Sequence, residues 1–168
     1  MIPDSTPILL TLASAGPTTL QIVLLGLLPV LICASGFFSG SETALFGISI
    51  SEQMEMRRQQ TVSARATLQL LRQPRLLLII LLLGNMTMNV LYFIVSSMLM
   101  MNDLFGWYGD ILFGIGVLIV MVICGELLPK FIASLFRQQV LRIAAPALLT
   151  LDRGLRPFWR SLDFLVVT

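Results

Sequence analysis

Three apolar stretches, each long enough to cross a lipid bilayer, leave this 168-residue chain one obvious architecture. They run from about Leu20 to Phe46, from Leu76 to Met101 and from Ile111 to Leu135. About 20 mainly apolar residues suffice to span the hydrocarbon core. Backbone N–H and C=O groups find no water there, so a lone spanning segment must satisfy them internally, as a helix. The expected fold is therefore all-α and integral to the membrane, with three transmembrane helices. Composition agrees: 12% of residues are charged, about half the share usual in soluble domains. No Lys or Arg precedes Leu20, so the first stretch lacks a signal peptide's basic start and reads as a helix that stays.

Charge placement predicts the topology. Arg57, Arg58, Arg65, Arg72 and Arg75 lie between the first two stretches, and five more arginines follow the third. The loop between the second and third holds only Asp103 and Asp110. By the positive-inside rule the N-terminus is outside and the C-terminus cytoplasmic. The expected layout is an extracytoplasmic segment at 1–19, a three-helix transmembrane domain at 20–135 and juxtamembrane interfacial helices at 136–168. In that last part arginines alternate with Leu, Phe and Trp159, a mixture suited to a helix lying in the interface. The end at Leu165-Val166-Val167 reads as a boundary cut, with soluble sequence expected beyond it.

Polar residues inside the spans are the second constraint. A carboxylate at the centre of a spanning helix costs roughly 2.5–3.5 kcal/mol. The first span carries Ser39, Ser41 and Glu42; the second carries Asn85 and Asn89; the third carries Gly125-Glu126, followed by Pro129 and Lys130. Asn85 and Asn89, at i and i+4, share one helix face about 6 Å apart along the axis. Pro129 removes its own N–H and displaces the carbonyl of Gly125, freeing an oxygen beside Glu126. All of these donors are oxygens, and the chain contains no His, a set suited to hard cations such as Mg2+. A single carboxylate undercompensates a divalent charge, so Glu42 or carbonyl dipoles would make up the difference.

Each signal also has a packing explanation. Asn in membranes often binds helices together, at about 0.6–2 kcal/mol. Gly36 and Gly40 have the spacing of a close-packing motif. Glu126 and Lys130 could pair at i and i+4, or Lys130 could snorkel to the headgroups and leave Glu126 to an ion. Cys33 and Cys124 are expected to be small buried hydrophobes rather than a disulfide. The absence of any Cys/His cluster argues against zinc, copper, haem and iron–sulfur chemistry.

At Phe38-Ser39-Gly40-Ser41-Glu42-Thr43-Ala44, at Gly84-Asn85 through Asn89-Val90, and at Gly125-Glu126-Leu127-Leu128-Pro129-Lys130, the chain resembles the transmembrane domain of the CNNM/CorC family, linked to Mg2+ export. The resemblance implies three spanning helices with a cytoplasmic-side juxtamembrane helical belt, assembled as a homodimer in a bacterial inner (plasma) membrane. It implies Ser39, Asn89 and Glu126 as the foremost ion contacts, with Ser41 and Asn85 next. Mg2+ would leave against entering Na+. Family members normally continue into cytoplasmic CBS domains that bind ATP; none is present here, so an excised domain is expected. Met86 and Met88 stand where relatives often carry polar or smaller residues.

Coupling makes physical sense. Moving a divalent ion outward against 100 mV costs about 4.6 kcal/mol, twice the value for one charge, and no GxxxxGK[ST] loop is present to use ATP. The main alternative is a structural or regulatory membrane module whose Asn and Ser residues only mediate helix packing. An intramembrane hydrolase would need a base for Ser39, and neither a His nor a suitably spaced Lys provides one. No enzyme activity and no nucleic-acid partner are expected; the bilayer itself is the surrounding partner.

Overall fold

In a computed structural model, residues 19–100 and 106–166 are described in backbone, and side chains apart from 106–107, 153 and 155–166. Residues 1–18 of the segment expected outside the membrane, Asp103 of the acidic loop, and the side chains of Trp159 and the last three arginines lie outside the described residues.

All the secondary structure of the described residues is helical. Helix α1 spans Thr19–Phe46, α2 Ile50–Gln59, α3 Val62–Leu70 and α4 Pro74–Met100. Helix α5 covers Gly106–Val120 and runs through a π-helical stretch at Met121–Leu127 into α6, Leu128–Leu135; α7 is Arg137–Val166. Among the described residues, three helices are long and apolar enough to cross a membrane, at Thr19–Phe46, Pro74–Met100 and Tyr108–Leu135. These bounds fall within three residues of those expected. The surface agrees: Leu20, Val23, Leu83, Val90, Leu112 and Leu118 all stand exposed on the bundle, as a lipid-facing surface requires. Cys33 and Cys124 are also exposed and unbridged, which corrects the expectation that they are buried. A thiol is apolar enough to face lipid, so its hydrophobicity does not decide between core and bilayer.

Helix α1 is the element in common, lying along α4 on one side and against the π-helical stretch and α6 on the other. Its approach to the third span is close because Gly36 and Gly40 both sit on Pro129. A Cβ on Gly36 would come 2.9 Å from Pro129 Cγ, and one on Gly40 would come 3.4 Å from the Pro129 carbonyl. The close-packing pair therefore works within one chain.

Between the first two spans the chain makes a two-helix hairpin. Ser49 caps α2: its hydroxyl accepts from the Glu52 N–H at 3.2 Å, and its own N–H donates to Glu52 Oε2 at 2.7 Å. This reciprocal box satisfies two orphan donors of the first turn. Helix α2 ends at Gln60, held left-handed at φ 47°, and Thr61 caps α3 by accepting from the Ala64 N–H. Gln60→Gly is expected to stabilise the chain by about 0.5–1 kcal/mol, because glycine adopts this conformation without Cβ strain; chemical denaturation would measure it.

Glu52 also receives Arg137 Nη1 at 3.0 Å, tying the start of α7 to the start of α2. Hydrogen bonding from Ser49, and then the nearby guanidinium, holds the Glu52 carboxyl below the usual carboxylate range. Its proton is bound less tightly folded than unfolded. The stability it contributes is therefore present at neutral pH and lost as pH falls through and below that range. Melting curves taken on acidification should show this loss, and Glu52→Gln should remove that component.

Two apolar clusters lie at different levels of the bundle. One gathers Ala44 and Leu45 of α1, Ala66 and Leu70 of α3, Leu77 and Leu81 of α4, Ala133 of α6, and Leu141, Ala144, Ala145 and Leu148 of α7. The other gathers Leu28 and Leu31 of α1, Tyr92, Val95 and Leu99 of α4, and Val117 and Met121 of the third span. Ser35, Ser39, Asn85, Asn89, Gly125 and Glu126 fall between them along the three spans.

Candidate cation site

The polar layer begins with Ser35, one turn before Ser39 on α1 and completely buried, as Ser39 is. Positions 35, 39 and 42 follow a helical stripe, so α1 presents Ser35, Ser39 and Glu42 along one face. Asn85 and Asn89 do the same on α4. The Ser35 hydroxyl lies 2.9 Å from Asn85 Oδ1, 2.6 Å from Asn89 Oδ1 and 3.5 Å from the Gly125 carbonyl oxygen. Asn89 Nδ2 donates to Glu126 Oε1 at 3.3 Å, which fixes the amide with its oxygen toward Ser35. The Ser39 hydroxyl donates to the Glu126 carbonyl at 3.4 Å.

Hydrogen counting makes this arrangement informative. A serine hydroxyl has one proton to donate. Here it faces three carbonyl-type oxygens, so at most one is satisfied by it at a time. Oxygens from all three spans thus converge on one hydroxyl.

The third span adds to that excess. The π-helical stretch closes with the Leu128 N–H bonded to the Ile123 carbonyl, five residues back. Pro129, next in line, has no N–H to continue the ladder. Backbone carbonyls of the preceding turn thus lose a donor where Gly125, itself buried, faces Ser35. Such π-helical turns often occur at functional sites. Glu126 is half-buried, and among the described residues no Lys or Arg lies within ion-pair distance of it. Lys130 is exposed instead, so the i,i+4 pair does not form. A carboxylate inside a spanning stretch, with the Asn89 amide as its hydrogen-bond donor, has room for a further partner of positive charge.

Of the residues marked in the sequence, Ser39, Asn85, Asn89, Gly125 and Glu126 come together. Ser41 does not join them. Its buried hydroxyl donates to the Phe37 carbonyl of its own helix and lines a groove on another side of α1, beside Pro129 and Ala144. Two positions beyond Ser39, it is rotated by about 200° around the helix. Ser35 was not singled out from sequence, although its i,i+4 relation to Ser39 is the signal that could have found it. Glu42 is half-buried on the Ser35–Ser39 stripe. No cluster of three or more His, Cys, Asp or Glu side chains occurs among the described residues; the centre is built from hydroxyl, amide and carbonyl oxygens around a single carboxylate.

The family profile of the cyclin M transmembrane N-terminal domain (CNNM) matches residues 10–167. The UPF0053 inner membrane protein YfjD of Escherichia coli (strain K12) is 34% identical over 109 residues, covering 63% of this chain. The chain spans 24% of that relative's length.

Proposed function

Because the chain belongs to the cyclin M transmembrane N-terminal domain family, we propose that it is the membrane domain of a divalent-cation transporter that carries Mg2+. The observation that carries this reading is the single Ser35 proton set among the oxygens of Asn85, Asn89 and Gly125. Mg2+ requires about six oxygens at 2.0–2.1 Å and dehydrates reluctantly, so a site that strips its water must hold several oxygens in place beforehand. Ser35, Ser39, Asn85, Asn89, the Gly125 carbonyl and Glu126 are the proposed donors, with Ser35 taking the place expected of Ser41. Only Glu126 brings a formal charge, and carbonyl and amide dipoles supply the remainder.

In this reading the ion leaves the cell, driven by entering Na+, through a domain whose N-terminus is outside. The hairpin α2–α3 and helix α7 form a belt at the cytoplasmic surface. The working unit is a homodimer, and the full-length protein continues into CBS domains. No catalytic chemistry is involved. The competing reading, a packing module, draws on the same interhelical bonds from Ser35 to the two asparagines.

Calorimetric titration of the detergent-purified chain with Mg2+, against Ca2+ and K+, separates the two. Saturable Mg2+ heat that disappears in Glu126→Gln supports transport. A flat trace to millimolar Mg2+ from protein that melts cooperatively leaves the packing module standing.

A further inference from the structure

Helices α2, α3 and α7 line an open cavity of about 270 Å³ that shares no residue with the cation site; its lining includes buried Thr67, half-buried Glu52, and exposed Glu55, Gln138 and Arg142. Three observations describe what it would hold. Thr67 is 1% exposed, and its hydroxyl has no hydrogen-bond partner among the described residues. A buried hydroxyl left unpaired is costly, and in native proteins each such group calls for an explanation. Second, the cavity carries opposite charges that do not meet. Glu52 is engaged by Arg137, whereas Glu55, bonded to the Gln59 amide, and Arg142 have no ion-pair partner among the described residues. Third, α2 begins just after the first span ends, α3 ends just before the second begins, and α7 follows the third directly. The cavity therefore lies at the end of the bundle, where lipid headgroups are found.

A ligand that matches all three has a positive and a negative end and N–H groups to give. A divalent cation would satisfy Glu55 and be repelled by Arg142. An anionic headgroup would satisfy Arg142 and face two carboxylates. We propose that this cavity binds the phosphoethanolamine group of an aminophospholipid. The primary ammonium donates to Glu55 and the Thr67 hydroxyl, and the phosphate accepts from the Arg142 guanidinium in a charge-assisted bond. A quaternary ammonium has no N–H for Thr67 and binds less well.

The test is the melting temperature of the delipidated chain in detergent and EDTA, titrated separately with short-chain phosphatidylethanolamine, phosphatidylcholine, phosphatidylglycerol and free phosphoethanolamine. Phosphatidylethanolamine should give a saturable rise at concentrations at least tenfold lower than the other two lipids. Glu55→Gln and Arg142→Gln should each weaken it at least tenfold. Thr67→Val should raise the melting temperature of the lipid-free chain, by removing the orphan hydroxyl, while weakening lipid binding at least threefold. Free phosphoethanolamine saturating as tightly as the lipid would uphold the headgroup chemistry and make its source soluble. A response to phosphatidylglycerol equal to that for phosphatidylethanolamine would overturn the proposal, as would indifference to both charge-removing substitutions. Asn89→Ala should leave the lipid response intact, so this assignment stands or falls separately from the cation site.

Discussion

Asn89→Ala is expected to lower the proposed affinity of the chain for Mg2+ by about 100-fold or more, with little loss of thermal stability. Both ends of this amide are engaged: its oxygen lies 2.6 Å from the Ser35 hydroxyl and its nitrogen donates to Glu126. The substitution removes one oxygen donor and releases the carboxylate that the amide orients. Loss of an orienting partner alone typically costs 10–100-fold in metal affinity, and a lost ligand adds to it. The cost to folding is smaller, because interhelical hydrogen bonds in membranes contribute only about 0.6–2 kcal/mol. Calorimetry and a melting curve on the same preparation read both quantities. Ser41→Ala is the matched control, a buried hydroxyl of the same helix facing away from the layer, and its Mg2+ affinity should equal that of the parent. A large fall in melting temperature with unchanged Mg2+ binding in Asn89→Ala would mean that the amide only holds helices together.

The largest effects on folding are expected at glycines, with opposite signs at two of them. A Cβ at Gly84 would lie 2.5 Å from Phe38 Cε1, within a ring that packs against the α7-side cluster. Gly84→Val should destabilise the bundle by about 1–3 kcal/mol, the usual range for overpacking a filled interior. Gly116 has no atom within 4 Å of the same position, so Gly116→Ala should gain about 0.5–1 kcal/mol from helix propensity alone. Melting temperatures of the two variants, measured in one detergent, should move in opposite directions. Equal behaviour would mean that Phe38 yields to the added side chain at no cost.

The spans were legible because hydropathy and bilayer thickness act on long windows, where single residues average out. The polar layer was legible in part for a related reason: Asn85, Asn89 and Glu126 are expensive in an apolar helix wherever they point. Hydroxyls carry no such mark. Serine can bond to its own helix, as Ser41 does with Phe37, so residue type alone could not say that Ser41 faces away and Ser35 faces in. That choice depends on which face of α1 meets α4, fixed by Gly84 beneath Phe38 and by Gly36 and Gly40 against Pro129. The extent of the π-helical stretch was also out of reach. Pro129 announces a break in the ladder, but not that seven residues before Leu128 absorb it.

The two apolar clusters on either side of the polar layer have an electrical consequence. At the level of the Leu28–Tyr92–Val117 cluster, Tyr92 bonds to the Val117 carbonyl and Ser96 to the Tyr92 carbonyl. A conducting pore needs a wetted file from one face to the other, and dry layers on both sides interrupt it. In this arrangement the chain should pass no unitary current at any voltage, and any flux must wait for helices to part. Collective motions of that kind take microseconds to milliseconds, which would cap turnover at about 10³–10⁶ ions per second. Tracer flux into vesicles, rather than a patch electrode, is the instrument suited to such a protein.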